Sequence, residues 1–188
     1  VSTDVVPDAA GAKLTYRGGP VLQNVAVAPV FWGSGVQFTT QIPAFYKAAI
    51  ASSYYDWLSE YNTTSPSQKI GEGTMVGAAN DAGTGTINLS DSQIQSALGT
   101  LIDQGKVPAP TANTYYPIHF APGITITASD GSKSCQIFCA YHGSFNHGGK
   151  TIYYGISPDQ GGSCAGGCGS DPSLLSNTTS VSSHELVE

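Results

Sequence analysis

The chain has 188 residues, of which 40% are hydrophobic and only 11% charged, and seven Lys+Arg against 13 Asp+Glu give a formal net charge of -6. That length suits one domain around a single core, and an acidic balance without any basic stretch excludes a nucleic-acid backbone as partner. No apolar run reaches the roughly 18 residues needed to cross a bilayer, so the sequence offers no membrane partner either.

The first segment, 1–17, is rich in Asp, Ala and Gly and reads as a surface arm. Its start at Val1 rather than Met is that expected of a chain whose leader has been removed. Gly18-Gly19-Pro20 marks a turn, and the β-branched apolar run 21–32 predicts a buried strand. The period then changes. With Thr39 or Thr40 as cap and Pro43 in the first turn, Ile42, Phe45, Tyr46, Ala49, Ile50, Trp57, Leu58 and Tyr61 recur at helical spacing. The expectation is one long amphipathic helix over 41–61, its aromatic stripe facing the core.

A second strand is expected over 68–79, then a glycine-rich loop at 80–85. Ser90 and Gln93 form a capping box for a helix that buries Ile94, Ala97, Leu98, Leu101 and Ile102 and ends before Gly105, Pro108 and Pro110. Strands follow at 115–121 and 124–127, and two more at 136–145 and 151–157, joined by a Gly-rich hairpin turn at 146–150. After a cysteine loop, Thr178, Thr179 or Ser180 can cap a last helix. The order predicts an α/β (α+β) single domain over 1–188: a twisted mixed sheet of about five strands, two long helices and a C-terminal motif helix over 178–188.

The four cysteines fall in two C-x-x-x-C pairs, Cys135/Cys139 and Cys164/Cys168, and an even count in an exported chain points to two disulfides. The local pairings are the expected ones, because Gly166 and Gly167 can bend the second loop. The alternative is zinc held by Cys135, Cys139, His142 and His147, although that spacing fits no standard finger. Three N-x-S/T sequons, at Asn62, Asn88 and Asn177, agree with a secreted glycoprotein.

The chemistry concentrates in His184-Glu185-Leu186-Val187-Glu188. At about 3.6 residues per turn, His184 and Glu188 return to one helix face and can bind one cation side by side. Glu185 is then free to take a proton beside the metal. This is the logic of H-E-x-x-H, with a carboxylate in place of the second imidazole. The reading is therefore Zn²⁺ on His184 and Glu188 with Glu185 as general base, and with His142 and His147 as possible accessory groups. His119, inside an apolar strand, reads as a core residue. The same helix read plainly is a solvated face with two ordinary glutamates. No G-x-S-x-G elbow is present. Gly149-Lys150-Thr151 has its upstream glycine at Gly143, one residue too far for a phosphate loop. Asp56, Glu60, Glu72 and Asp159 are further acids whose spacing pairs none of them.

Several blocks together resemble the EXORDIUM-like, or phosphate-induced, family of secreted proteins and its microbial and fungal relatives. They are Tyr16-Arg17-Gly18-Gly19-Pro20-Val21-Leu22, Val30-Phe31-Trp32-Gly33, the segment from Cys135 to Ser144, the segment from Gly162 to Cys168, and the final Ser183 to Glu188. The resemblance implies an extracellular or cell-wall-associated protein with a zincin-like fold. In zincin metallopeptidases the His-Glu helix follows a twisted mixed sheet whose edge strand pairs with a peptide substrate, and a further metal ligand lies downstream of the motif. Plant members look like growth-related proteins without an assigned reaction, whereas microbial relatives with a His-Glu helix look like metallopeptidases. The motif helix stops at Glu188 without a Gly cap, a basic last turn or a Pro, so the break is expected to fall inside an element. The functional expectation is a zinc-dependent hydrolase acting on a peptide or protein. The alternative is a carbohydrate-binding or cell-wall glycan-associated module on the same scaffold, for which ten tyrosines and two tryptophans supply stacking surfaces.

Overall fold

The apolar run at 21–32 is extended, but as two short strands sharing one register. In the computed structural model, which describes residues 16–81, 83 and 85–188, β1 (Ala26–Val27) and β2 (Val30–Trp32) both lie parallel to β8 (Thr114–Phe120). Ala26 stands opposite Thr114 and Val30 opposite Ile118, so the spacing between the partners is preserved. Pro29, which has no N–H to give to a ladder, falls in the gap. The far side of β1 and β2 carries β5 (Thr74–Met75) and β6 (Ala79–Asp81), also parallel. The other side of β8 carries β11 (Lys150–Ser157) in parallel, and β10 (Tyr141–His147) closes that edge antiparallel to β11. Among the described residues these seven strands, against the roughly five expected, form one mixed sheet, whose most central strand, β8, is buried along its whole length. Two minor ribbons complete the strands: β3 (Thr63–Thr64) with β4 (Ser67–Gln68), and β7 (Asn88–Ser90) with β9 (Thr125–Thr127). Most of the arm expected over 1–17 lies outside the described residues.

Helices cover both faces. On one, α3 (Asp91–Asp103) begins with the expected capping box: Ser90 Oγ accepts from the Gln93 amide at 3.3 Å, and Gln93 Oε1 accepts from the Ser90 amide at 2.8 Å. Ile94, Leu98 and Leu101 pack there against Trp32, Tyr116, Ile118, Ile152 and Ile156. On the other face, α1 (Gln41–Ala49) and α4 (Leu174–Val187) pack over Val27, Phe31, Tyr115 and Tyr153. The alternation of strand side chains separates the two cores, since Tyr115 and Tyr116 or Phe31 and Trp32 point opposite ways. The result is a mixed α/β fold. None of its helices, among the described residues, is long and apolar enough to cross a membrane.

Several expectations are corrected. The helix foreseen over 41–61 ends at Ala49, because Ser52 turns extended and its hydroxyl donates to the Ala49 carbonyl at 2.7 Å. The chain restarts as α2 (Ser53–Asp56) and then tightens into a 3₁₀ helix, Trp57–Tyr61. The stripe therefore divides: Ile42, Tyr46 and Ile50 are buried, whereas Trp57 and Tyr61 are exposed. The single strand expected at 68–79 is broken into β4, β5 and the start of β6. That expected at 136–145 begins only at Tyr141, but its hairpin turn is present, with Gly148 and Gly149 at φ +56° and +76° as a two-residue turn requires. The last helix starts at Leu174 with Ser173 as cap rather than at 178–180. Thr178, Thr179, Ser182 and Ser183 instead donate to carbonyls three or four residues back, which lets cap-type residues sit inside a helix.

The disulfides are not local. Cys135 pairs with Cys164 and Cys139 with Cys168, each across 29 residues. Each C-x-x-x-C segment is a tight turn that presents both sulfurs to the other turn, so the two zip together side by side; the alternative four-residue zinc site falls with this pairing. Closing a loop of that length stabilises the fold by about 3 kcal/mol or more through the unfolded chain's lost entropy. Two such bonds fit an extracellular protein. Of the sequon asparagines, Asn62 and Asn88 are exposed. Asn177 is 9% exposed, its Oδ1 accepting from the Asp171 amide and its Nδ2 donating to the Asp171 carbonyl, so this site is closed to a glycan in the folded chain.

Candidate functional site

The motif helix and the edge strand build the site together. Three hydrogen bonds to buried Asp91, from Tyr141 at 2.7 Å, Tyr154 at 2.6 Å and Gln95 at 2.6 Å, lock β10 and β11 against α3. With Tyr141 turned that way, the period of two turns His142 toward α4. Its Nδ1 lies 2.9 Å from Glu185 Oε2 and 3.8 Å from Glu188 Oε2. Along α4, the i,i+4 spacing brings His184 Nε2 to 3.3 Å from Glu188 Oε2. The Glu188 carboxylate thus lies between two imidazoles that are 42 residues apart in sequence.

The four side chains differ in exposure. Glu185 is buried to 8% side-chain exposure, whereas His142, His184 and Glu188 remain open to solvent. The hydrogen bond to Glu185 raises the His142 imidazole above its ordinary value; partial burial opposes this, and the charges of Glu185 and Glu188 add to it. Beneath Glu185 the core is aromatic and polar at once. Tyr46 Oη and His119 Nε2 share a hydrogen bond at 3.2 Å. Burial raises the Tyr46 phenol well above its usual range and lowers His119 from 6.5 to about 3, so both are neutral across ordinary pH. His119 is the core residue the sequence suggested.

The cluster lies in a cleft of about 1110 Å³. Its floor includes Tyr115, only 5% exposed, whose hydroxyl has no hydrogen-bond partner among the described residues. That hydroxyl fits because residue 155 is glycine: a Cβ there would come within 2.0 Å of it. Burial, with the nearby Tyr46 and Glu185, raises the Tyr115 phenol far above its ordinary value and keeps it a proton donor. Tyr54, Trp57, Glu60 and Tyr61 form an outer wall.

Of the residues singled out in sequence, His184, Glu185, Glu188 and His142 come together. His147 does not: it packs over Gly99 and lies 2.9 Å from Asp103 on the α3 side of the sheet. The period of two that brings His142 toward α4 takes His147, an odd number of residues on, to the opposite face. Asp56, Glu72 and Asp159 line no part of the cleft, and Glu60 does. Tyr115 carries no sequence signal beyond its place in an apolar strand. The exposure of Trp57 runs against the core-facing stripe expected; the serine pair 52–53, a stop-and-restart signal inside a helical period, is what marks it.

The donor set can be tested against a cation. Tetrahedral Zn²⁺ with ligand bonds of about 2.0–2.2 Å places neighbouring ligand atoms roughly 3.3–3.6 Å apart. The His184–Glu188 spacing of 3.3 Å matches and the His142–Glu188 spacing of 3.8 Å is slightly wide. Donor atoms of His142, Glu185 and Glu188 all lie within 4.8 Å of one another. His184 lies outside that trio and reaches it only through Glu188, so the side chains that could share one cation as they stand are His142, Glu185 and Glu188. No protein-family model, curated protein or solved structure matches the chain.

Proposed function

We propose that the protein is a secreted, zinc-dependent peptide hydrolase of the zincin kind, in line with the EXORDIUM-like resemblance of its sequence. His142 and Glu188 hold the cation together with His184, whose exposed side chain turns in beside Glu188 to reach it, and Glu185 is the general base. The observation that carries this reading is the arrival of His142, from a strand more than forty residues away, on the same turn of α4 that presents Glu185 and Glu188. Two imidazoles and one carboxylate are a ligand set known from catalytic zinc, and such a cation supplies Lewis acidity toward a carbonyl and acidifies water.

The chain's own residues supply the rest. Glu185, shielded from bulk water, takes a proton from the attacking water and returns it to the leaving amine. Tyr115, a neutral donor at the cleft floor, hydrogen-bonds the oxygen on which charge develops. β10 pairs only with β11 among the described residues, so its free edge can receive an extended peptide beside His142.

The test is Glu185→Gln. Zinc content measured by elemental analysis stays at one per chain while cleavage of a casein substrate falls by roughly 10²–10⁴-fold, the usual contribution of a positioned base. Unchanged cleavage removes Glu185 from the mechanism, and loss of zinc makes it a ligand instead.

A further inference from the structure

The outer wall of the cleft has a composition that its place in the helical stripe does not explain. Tyr54, Trp57 and Tyr61 are three of the seven large hydrophobic residues that stand exposed among those described, and all lie within α2 and the 3₁₀ turn after it. Trp57 is 73% exposed. A 3₁₀ helix has three residues per turn, so side chains three apart stand one above another. Trp57 and Glu60 therefore share a face, and Tyr54, three residues before Trp57, continues it.

Charge selects what that face receives. With Glu185 and Glu188 engaged in the His–Glu cluster, the charge left on the wall is Glu60, and no Lys or Arg lines the cleft among the described residues. An indole face next to a carboxylate, in a cleft without Lys or Arg, is complementary to a cation carried on an apolar stem. We propose that Tyr54, Trp57, Glu60 and Tyr61 form a subsite for a Lys or Arg side chain of a peptide, the cation lying over Trp57 with Glu60 as counter-charge. This rests on the hydrolase reading for its placement beside the cluster, and it defines the substrate class as basic peptides. A sugar ring would also stack on Trp57, but it gains nothing from the charge of Glu60.

Binding, measured without turnover, separates the two ideas. The full chain carrying Glu185→Gln is titrated, by fluorescence anisotropy at low ionic strength, with labelled Gly-Ser hexapeptides that differ only in a central Arg, Glu or Leu. The Arg peptide binds about tenfold tighter than either other peptide, the ratio expected of a cation–π contact with a neighbouring carboxylate. Adding Trp57→Ala, which removes a side chain mostly in solvent, brings that ratio down to about two; Glu60→Gln lowers it about threefold and serves as a second variant. Salt at 0.5 M weakens the Arg peptide selectively. Equal binding of the three peptides, an Arg preference that survives both variants, or a Leu peptide as tight as the Arg peptide overturns the proposal. So does cellohexaose that binds in competition and with greater affinity. Because Glu185 is already replaced and no cleavage is read, a failure of the hydrolase mechanism leaves this outcome unchanged.

Discussion

The two faces of the sheet are built from different materials. Under α3, the layer is aliphatic and aromatic almost throughout, and its one buried carboxylate among the described residues, Asp91, accepts three hydrogen bonds. Under α1 and α4, the buried set includes His119, Thr178, Ser182 and Glu185, and the hydroxyl of Ser157 at the end of β11 has no partner. The first face has the composition of a scaffold. The second tolerates polar groups that cost stability when buried, and it is there that the cleft and the His–Glu cluster are found. Positioning of the site by the scaffold passes through Asp91, which fixes β10 and hence the side to which His142 turns.

This division makes distinct demands on substitutions. The largest effect on folding belongs to the α3 face: Leu98→Ala, at a fully buried position, is expected to destabilise by about 2–5 kcal/mol in urea titrations while leaving zinc stoichiometry at the folded baseline unchanged. An equal loss for truncation of an exposed residue on α4, such as His184, would erase the contrast between the faces.

A smaller effect, with a characteristic pH dependence, belongs to the α4 face. His119 titrates near 6.5 in the unfolded chain but only at about 3 in the folded one, because burial disfavours its charged form. Below pH 6.5 the unfolded chain therefore gains a proton that the folded chain does not, and stability falls as pH drops, down to about 3. More than about one unit above 6.5 the group contributes no pH dependence. Between pH 6.5 and 5.5 this amounts to about 1 kcal/mol. His119→Gln should flatten the stability–pH curve by that amount over that interval, whatever its effect on absolute stability. A parallel curve for the variant would show that His119 accepts its proton in the folded state as readily as in the unfolded one.

What could be read from sequence follows the range of the interactions. The Ser90 capping box, the two-glycine hairpin and the buried β8 run are specified by neighbours within a few residues, and each is present. The mixed sheet followed from the alternation of strand and helix signals. The motif at 184–188 carried its own i,i+4 geometry. Longer-range arrangements were not legible. The disulfides cross 29 residues, and two identical C-x-x-x-C spacings give no means of preferring the crossed pairing. The meeting of His142 with Glu185 depends on the register of β10 and on Asp91 holding Tyr141, neither of which a local pattern encodes. Trp57 read as core because its spacing continues the α1 stripe; two serines breaking the helix turned it outward. Where a local rule failed, in the Ser- and Thr-rich α4, side chains took the backbone partners that a cap would otherwise have used.

The metal site itself is most directly tested by titrating the metal-stripped chain with Zn²⁺ by calorimetry, alongside His142→Ala. The full chain should bind one equivalent, and loss of the β10 imidazole should weaken binding by at least about tenfold, as expected when a ligand is removed. Failure of the folded chain to take up zinc, or affinity untouched by His142→Ala, would contradict the assignment of these side chains to a metal centre.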